Sequence, residues 1–232
     1  MPEHEFIGND NMKMIYKNDE PQEILQWKSK FKNKNGRVPR YSDLNEVENL
    51  PHKILLKNSL LSEQGHICCY CCKPIRTDNS HIEHIRPKER DEYRAISLEY
   101  ENLLASCQGY HDREENCGHS KDNAFTEELF VSPLEENCES LFEFSDRGKI
   151  KAVDGNERAG YTIELLNLDT EQLNAARTEA MWVSGAMDEL TEDECQKLLD
   201  KFENVDERGR YAGFSDAIVY QLKKQLAYLT QH

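Results

Sequence analysis

The sequence predicts an α+β, mostly helical fold, with a cysteine- and histidine-rich unit set between N-terminal helices and a longer helical region. Three observations point there. Apolar residues recur at helical spacing on both sides of residues 66–125. That middle segment is rich in Cys, His, Gly and Asn with little periodicity of its own, so it needs another source of order, such as a metal. LFEFSDRGKIKAV, from Leu141, alternates on both sides of Asp146-Arg147-Gly148 and reads as a β-hairpin. The divisions are residues 1–66, 67–126 and 127–232.

Taken in order, EPQEILQWKSKFKNKNG from Glu20 places Ile24, Leu25, Trp27 and Phe31 on one helical face and stops at Asn35-Gly36. YSDLNEVENL opens at a cap, Ser42, whose capping-box partner would be Asn45. Pro51 interrupts the pattern, and HKILLKNSLLSEQG resumes it as a second helix ending at Gly65, with Ile54, Leu55, Leu60 and Leu61 in the core. If Ser80–Ile85 is extended, its side chains alternate between two faces. After the hairpin, residues 160–167, 170–187, 190–203 and 214–230 read as helices, with Gly209 and Gly213 flanking the turn before the last.

The chain has 232 residues, enough for one large domain or two small ones with a real core. No apolar run approaches the roughly 20 residues that span a bilayer, and MPEHEFIGND lacks the apolar stretch of a signal peptide. A cytoplasmic location is therefore expected, where clustered thiols bind metal more often than they pair as disulfides. The net charge of −15 is uneven: residues 1–125 carry −3 and residues 126–232 carry −12. An acidic C-terminal half cannot itself hold a polyanion, because nucleic-acid binding draws on Lys and Arg. It is either a solvated face or a surface for a basic partner.

Cys68-Cys69-Tyr70-Cys71-Cys72 offers two overlapping C-x-x-C pairs, Cys68 with Cys71 and Cys69 with Cys72. Such a turn brings two thiolates onto one tetrahedral zinc and leaves two positions for a distant pair. Cys107 and Cys117 supply that pair, with a loop inserted between them. A redox role would need a βαβ context, which the pattern lacks. Cys138 and Cys195 read as buried small hydrophobes. Nearby, alternation along an extended His81-Ile82-Glu83-His84 sends His81 and Glu83 to one side and Ile82 and His84 to the other, unless the strand bends.

The ordered set is Cys68/Cys71, Glu83-His84-Ile85-Arg86-Pro87, Asn102-Leu103 with Cys107, and Cys117 with Lys121. It resembles the HNH endonuclease motif in its zinc-bearing form, a ββα-metal unit. MIYKNDEP, EQGHICCYC, HIEHIRPK, NLLASC, CGHSK, LFEFSDRGKI and TIELLNLDT together, across roughly residues 13–180, look like the PtuB family of Septu-type and retron-linked anti-phage effectors.

The resemblance implies a metal-dependent endonuclease that hydrolyses phosphodiesters of DNA, or of RNA such as tRNA. His84 would be the general base and Glu83 the ligand of a catalytic Mg²⁺ or Mn²⁺, with Asn102 fixing the loop and orienting His84. It also selects Cys68, Cys71, Cys107 and Cys117 as the zinc ligands, since the family pattern is C-x-Y-C, and leaves Cys69 and Cys72 as spares. The third motif letter departs from the pattern: Gly118 stands directly after the fourth cysteine, where His or Asn is usual. His119, His111 and Asn123 are the contenders for that catalytic or metal-ligating role, His119 ahead of His111. His81 is a helper that either shares the metal or touches a phosphate. Arg86, Lys88 and Lys121 are candidate phosphate contacts. Basic and acidic residues nearly balance between Lys73 and Arg94, which suits a subunit that borrows substrate affinity from a partner. The resemblance supplies one, an SMC/ABC-type ATPase of the PtuA kind, in some systems with a retron reverse transcriptase and its DNA. The competing expectation is a non-catalytic zinc module that binds a partner.

Overall fold

The structure is a computed structural model that describes residues 12–109 and 115–231. The N-terminal MPEHEFIGND segment and His111 lie outside the described residues. The fold is α+β and mostly helical. Helix α1 (Gln22–Asn35) ends where Gly36 turns left-handed and donates its N–H to the Lys32 carbonyl. Glycine takes that backbone conformation without steric cost, so the helix stops there.

Two short 3₁₀ turns, Tyr41–Asn45 and Val47–Asn49, lead into α2 (Leu50–Glu63). Three expectations are corrected here. Ser42 is not the cap of this turn; the Asp43 carboxylate accepts from the Arg40 N–H at 2.6 Å and from the Arg37 guanidinium. Pro51 sits in the first turn of α2, so it opens the helix, because its missing N–H would have no partner there anyway. Leu56, Leu60 and Leu61 are buried while Ile54 is 52% exposed, and on α1 Leu25 is exposed beside buried Ile24 and Trp27. Each helix buries a narrower stripe than the apolar pattern suggested.

Strand β1 (Ser80–His84) pairs antiparallel with β2 (Leu103–Cys107), Ser80 facing Cys107 and His84 facing Leu103. A single helical turn, α3 (Gly118–Lys121), follows. Helix α2 packs on β2. Strands β3 (Phe142–Phe144) and β4 (Ile150–Ala152) form the expected hairpin. Its turn residue Gly148 has φ +67° and lies so close to α5 that a Cβ would strike the Asn174 carbonyl.

The C-terminal helices are α4 (Glu157–Leu165), α5 (Glu171–Val183), α6 (Glu192–Glu203) and α7 (Ser215–Leu229). Helices α5 and α6 both pack on α7. The Thr170 and Thr191 side chains cap α5 and α6, and Glu194 completes a capping box on the latter. Arg177, 1% exposed, donates to the Gly148 and Leu168 carbonyls and lies over the Phe144 ring, joining hairpin to helix. Cys138 and Cys195 are buried. Among the described residues no helix is long and apolar enough to cross a membrane.

Candidate active site and metal centre

The cysteine turn is a miniature hairpin. Ile67 bridges to Pro74, and the Cys68 N–H donates to the Lys73 carbonyl at 2.9 Å. The Cys72 N–H closes the turn onto the Cys68 carbonyl at 3.1 Å. A buried amide anchors this turn to β2: Gln64 accepts from the Ala105 N–H and donates to the Ala105 and Ile67 carbonyls. Cys107 ends β2, and Cys117 is fixed by its N–H to the Leu166 carbonyl at 2.8 Å.

The sulfurs of Cys68, Cys71, Cys107 and Cys117 all lie within 4.8 Å of one another, all buried. The Cys71–Cys107 separation is 3.9 Å. Tetrahedral zinc with Zn–S bonds of about 2.3 Å needs sulfur–sulfur edges of about 3.8 Å. The donor set therefore fits a structural zinc. The Cys107 N–H points at Cys68 Sγ at 3.3 Å and the Asn116 amide at Cys117 Sγ at 3.6 Å, the outer-shell donors that stabilise thiolates. Cys69 and Cys72 are buried but outside this group.

On one face of β1, His81 and Glu83 meet: His81 Nε2 is 3.2 Å from Glu83 Oε2. Glu83 Oε1 accepts from the Tyr70 hydroxyl at 3.2 Å and pairs with Lys121 Nζ at 3.0 Å. Burial would push the Glu83 carboxyl up, but the His81 hydrogen bond and the Lys121 charge outweigh it and hold it at about 2. Glu83 is thus an anion at neutral pH with Oε2 turned to an imidazole. The rings of His81 and His119 are 4.8 Å apart, and His119 Nε2 is 3.1 Å from Gln108 Oε1. His81 Nδ1 is buried without a hydrogen-bond partner.

Gly118 explains the departure at the third motif letter. A Cβ there would collide with Glu83 Oε2 and come within 2.7 Å of His81 Nε2. The space that a side chain at this position would enter is filled from β1 by His81. Gly118→Ala is expected to lower stability by about 1–3 kcal/mol through overpacking. Gly160→Ala, with nothing within 4 Å of the added methyl, should be neutral or stabilising. Thermal unfolding of the two variants checks this; equal melting temperatures would remove the steric explanation.

His84 keeps different company. Its ring meets Tyr41 edge-on at 4.4 Å, and Nε2 is 3.1 Å from the Ser97 carbonyl. Burial first, then the Lys88 charge, pulls its imidazole down to about 4, so it is neutral at pH 7. The strand stays regular through His84, so His84 and Glu83 point to opposite faces of β1.

Two expectations change here. The Asn102 amide makes no bond to His84; it accepts from the Arg86 N–H at 2.8 Å and donates to the Arg86 carbonyl, so it fixes the loop while Ser97 orients the histidine. Lys121 is 1% exposed, and its ammonium is spent on Glu83 and the His84 and Ile85 carbonyls. Being buried and fully bonded, it orders Glu83 and cannot face a phosphate. Arg86 pairs with Glu127, Lys88 is partly exposed beside Glu89, and the Asn123 amide contacts Asp122. Tyr41, Gln64 and Ser97 carry no signal in the sequence; each acts through contacts distant along the chain that no local pattern reveals.

No protein-family model matches the chain. A protein of Vibrio cholerae serotype O1 biovar El Tor, named "Retron Vc95 putative HNH endonuclease", is 28% identical over 131 residues, covering 54% of this chain. The match spans 62% of that relative's length.

Proposed function

We propose that the chain is an HNH-type, metal-dependent endonuclease subunit acting on phosphodiesters, in a retron-linked setting like that named for its relative. The observation that carries this reading is the ββα arrangement in which Glu83 lies ionised beneath Gly118, with one oxygen turned to His81. Glu83 Oε2 and an imidazole of His81 or His119 would hold Mg²⁺ or Mn²⁺, which would neutralise charge on the phosphate and the leaving oxygen. Among the described residues only the four cysteines form a ready cluster of three or more ligands, so a hard cation at Glu83 would complete its shell with water, as Mg²⁺ usually does.

The remaining work falls to the chain's own groups. With Nε2–H donated to the Ser97 carbonyl, His84 keeps Nδ1 as a basic lone pair that takes a proton from water. Lys121 spans Glu83 and the His84 carbonyl and so fixes the two faces of β1 relative to each other. DNA is the substrate in this reading. RNA such as tRNA is the alternative, because a centre that touches phosphate and sugar carries little base discrimination. The finer assignment is a PtuB-type effector under control of a PtuA-like SMC/ABC-type ATPase, with residues 67–126 as the nuclease unit. The acidic first turn of α6 (Glu192, Asp193, Glu194) belongs to the docking surface.

His84→Ala should lower cleavage of labelled DNA or total RNA in Mg²⁺ or Mn²⁺ by about 10²–10⁴-fold, the usual contribution of a general base. His81→Ala should raise the metal concentration needed for half-maximal rate. A specific observation favours one rival: Glu83 and His84 are only 6% and 5% exposed, as a purely structural zinc module would have them. If toxicity or phage protection survives His84→Ala while Cys71→Ser abolishes it, that rival is correct and the nuclease reading fails.

A further inference from the structure

The chain carries −15 overall, yet one region runs against this. Lys28–Arg40 contains six basic residues and no acidic one. Of these, Lys30, Lys32, Lys34, Arg37 and Arg40 are exposed. The loop that follows α1 is held rigid by the paired Arg37–Asp43 bonds of 2.8 and 2.7 Å and by Asp43 accepting from the Arg40 N–H. This fixes Arg40 at the rim of a cleft of about 240 Å³, lined by Arg40, Tyr41, Ser42, Asn45, Lys88, Glu89, Arg94 and Ser97.

His84 forms part of the cleft's support. Tyr41, which lines the cleft, packs edge-on against the His84 ring, and Ser97, which also lines it, holds His84 Nε2. Two ammonium groups flank the same tyrosine, Lys53 at 5.6 Å and Lys88 at 5.7 Å from its centroid. Lys53 also donates to Asn45 on the cleft wall. The nearby acidic groups offer little competition: Glu89 lies 3.5 Å from Lys88 and Asp91 2.6 Å from Arg94, both in exposed pairs. Exposed pairs of this kind are worth little and give way to a stronger anion. A phosphodiester offers more negative oxygens, and guanidinium groups bind them in bidentate fashion.

We propose that Arg40, Lys88 and Arg94 clamp the phosphate backbone of a nucleic-acid strand in this cleft, with the basic α1 run extending the track. The inference rests on the nuclease reading for its purpose but not for its chemistry. It assembles the substrate grip from two stretches far apart in sequence, the loop after α1 and the loop after β1. A local basic patch on an acidic protein also steers a polyanion to one place.

The test is binding of a short fluorescein-labelled DNA of mixed sequence, single-stranded and duplex, to the full chain without added Mg²⁺ or Mn²⁺, across a salt series. Arg40→Ala/Arg94→Ala should weaken binding at low salt by about 10-fold or more and flatten the slope of log K against log salt by about 2, one unit per lost phosphate contact. Lys149→Ala/Lys151→Ala, which removes two exposed lysines of the hairpin, should leave both unchanged. Wild-type binding by the Arg40/Arg94 variant, equal losses from the hairpin variant, or no binding by the wild type would each overturn the clamp. Cleavage is read separately. A chain that binds through the clamp yet never cuts overturns only the nuclease reading, and a chain that cuts while the Arg40/Arg94 variant binds normally overturns only the clamp.

Discussion

Cys107→Ser is expected to strip the zinc and disorder the centre of the molecule. Apparent zinc affinities of structural sites amount to about 10–16 kcal/mol, as large as the whole stability of an ordinary domain, about 5–15 kcal/mol. Cys107 is also the last residue of β2, so the same change loosens the strand opposite Ser80. Metal analysis of the purified protein should fall from about one zinc per chain to near none, as for any site short of a ligand, with loss of the cooperative thermal transition. Cys69→Ser and Cys72→Ser should keep the metal, since both sulfurs stand outside the four-sulfur group. Zinc retained by Cys107→Ser, or lost from Cys69→Ser, would show that a different set of thiols binds.

Lys121→Met should be the most damaging single change outside the cysteines. It removes the ammonium that faces Glu83 and leaves two buried carbonyls without their donor. Breaking one side of a buried ion pair costs about 3–5 kcal/mol, because the remaining charge is left uncompensated. Urea unfolding should show that loss, and adding Glu83→Gln should recover part of it by removing the stranded carboxylate. A cost below about 1 kcal/mol, the range of exposed pairs, would mean that Lys121 reaches solvent.

How much of this was legible depended on whether the signal was local. The hairpin and the C-terminal helices follow from spacing alone, and their observed bounds differ by a few residues. Spacing leaves Cys68/Cys71 and Cys69/Cys72 equally open as partners of Cys107 and Cys117; the resemblance selects the first pair, and the sulfurs that converge are those of Cys68, Cys71, Cys107 and Cys117. Lys121 reads in the sequence as a surface charge for phosphate because it stands beside a histidine-rich turn; its contacts to Glu83 and His84 on β1 bury it. Gly118 appeared as a defect in a motif, and the strand beneath it supplies the reason. Ile54, expected in the core, is exposed because an apolar residue at roughly helical spacing does not reveal how wide the buried stripe is. The cleft at Arg40 joins segments that no window of sequence contains together.

Two backbone bonds tie the thiol turn to a segment far along the chain. The Cys72 carbonyl accepts from the Phe214 N–H at 2.9 Å, and the Gly65 carbonyl from the Tyr211 N–H at the same distance. Gly65 lies so close to the Tyr211 ring that any side chain there would strike it. The thiol turn thus receives its final backbone bonds from the segment leading into α7, synthesised long after the turn itself. Contacts of such long sequence separation form late, because the intervening chain must first be ordered. The brace that the C-terminal segment adds to the thiol turn is thus the part of its support with the longest separation along the chain. A chain truncated before Tyr211 would lack both of these backbone bonds to the thiol turn.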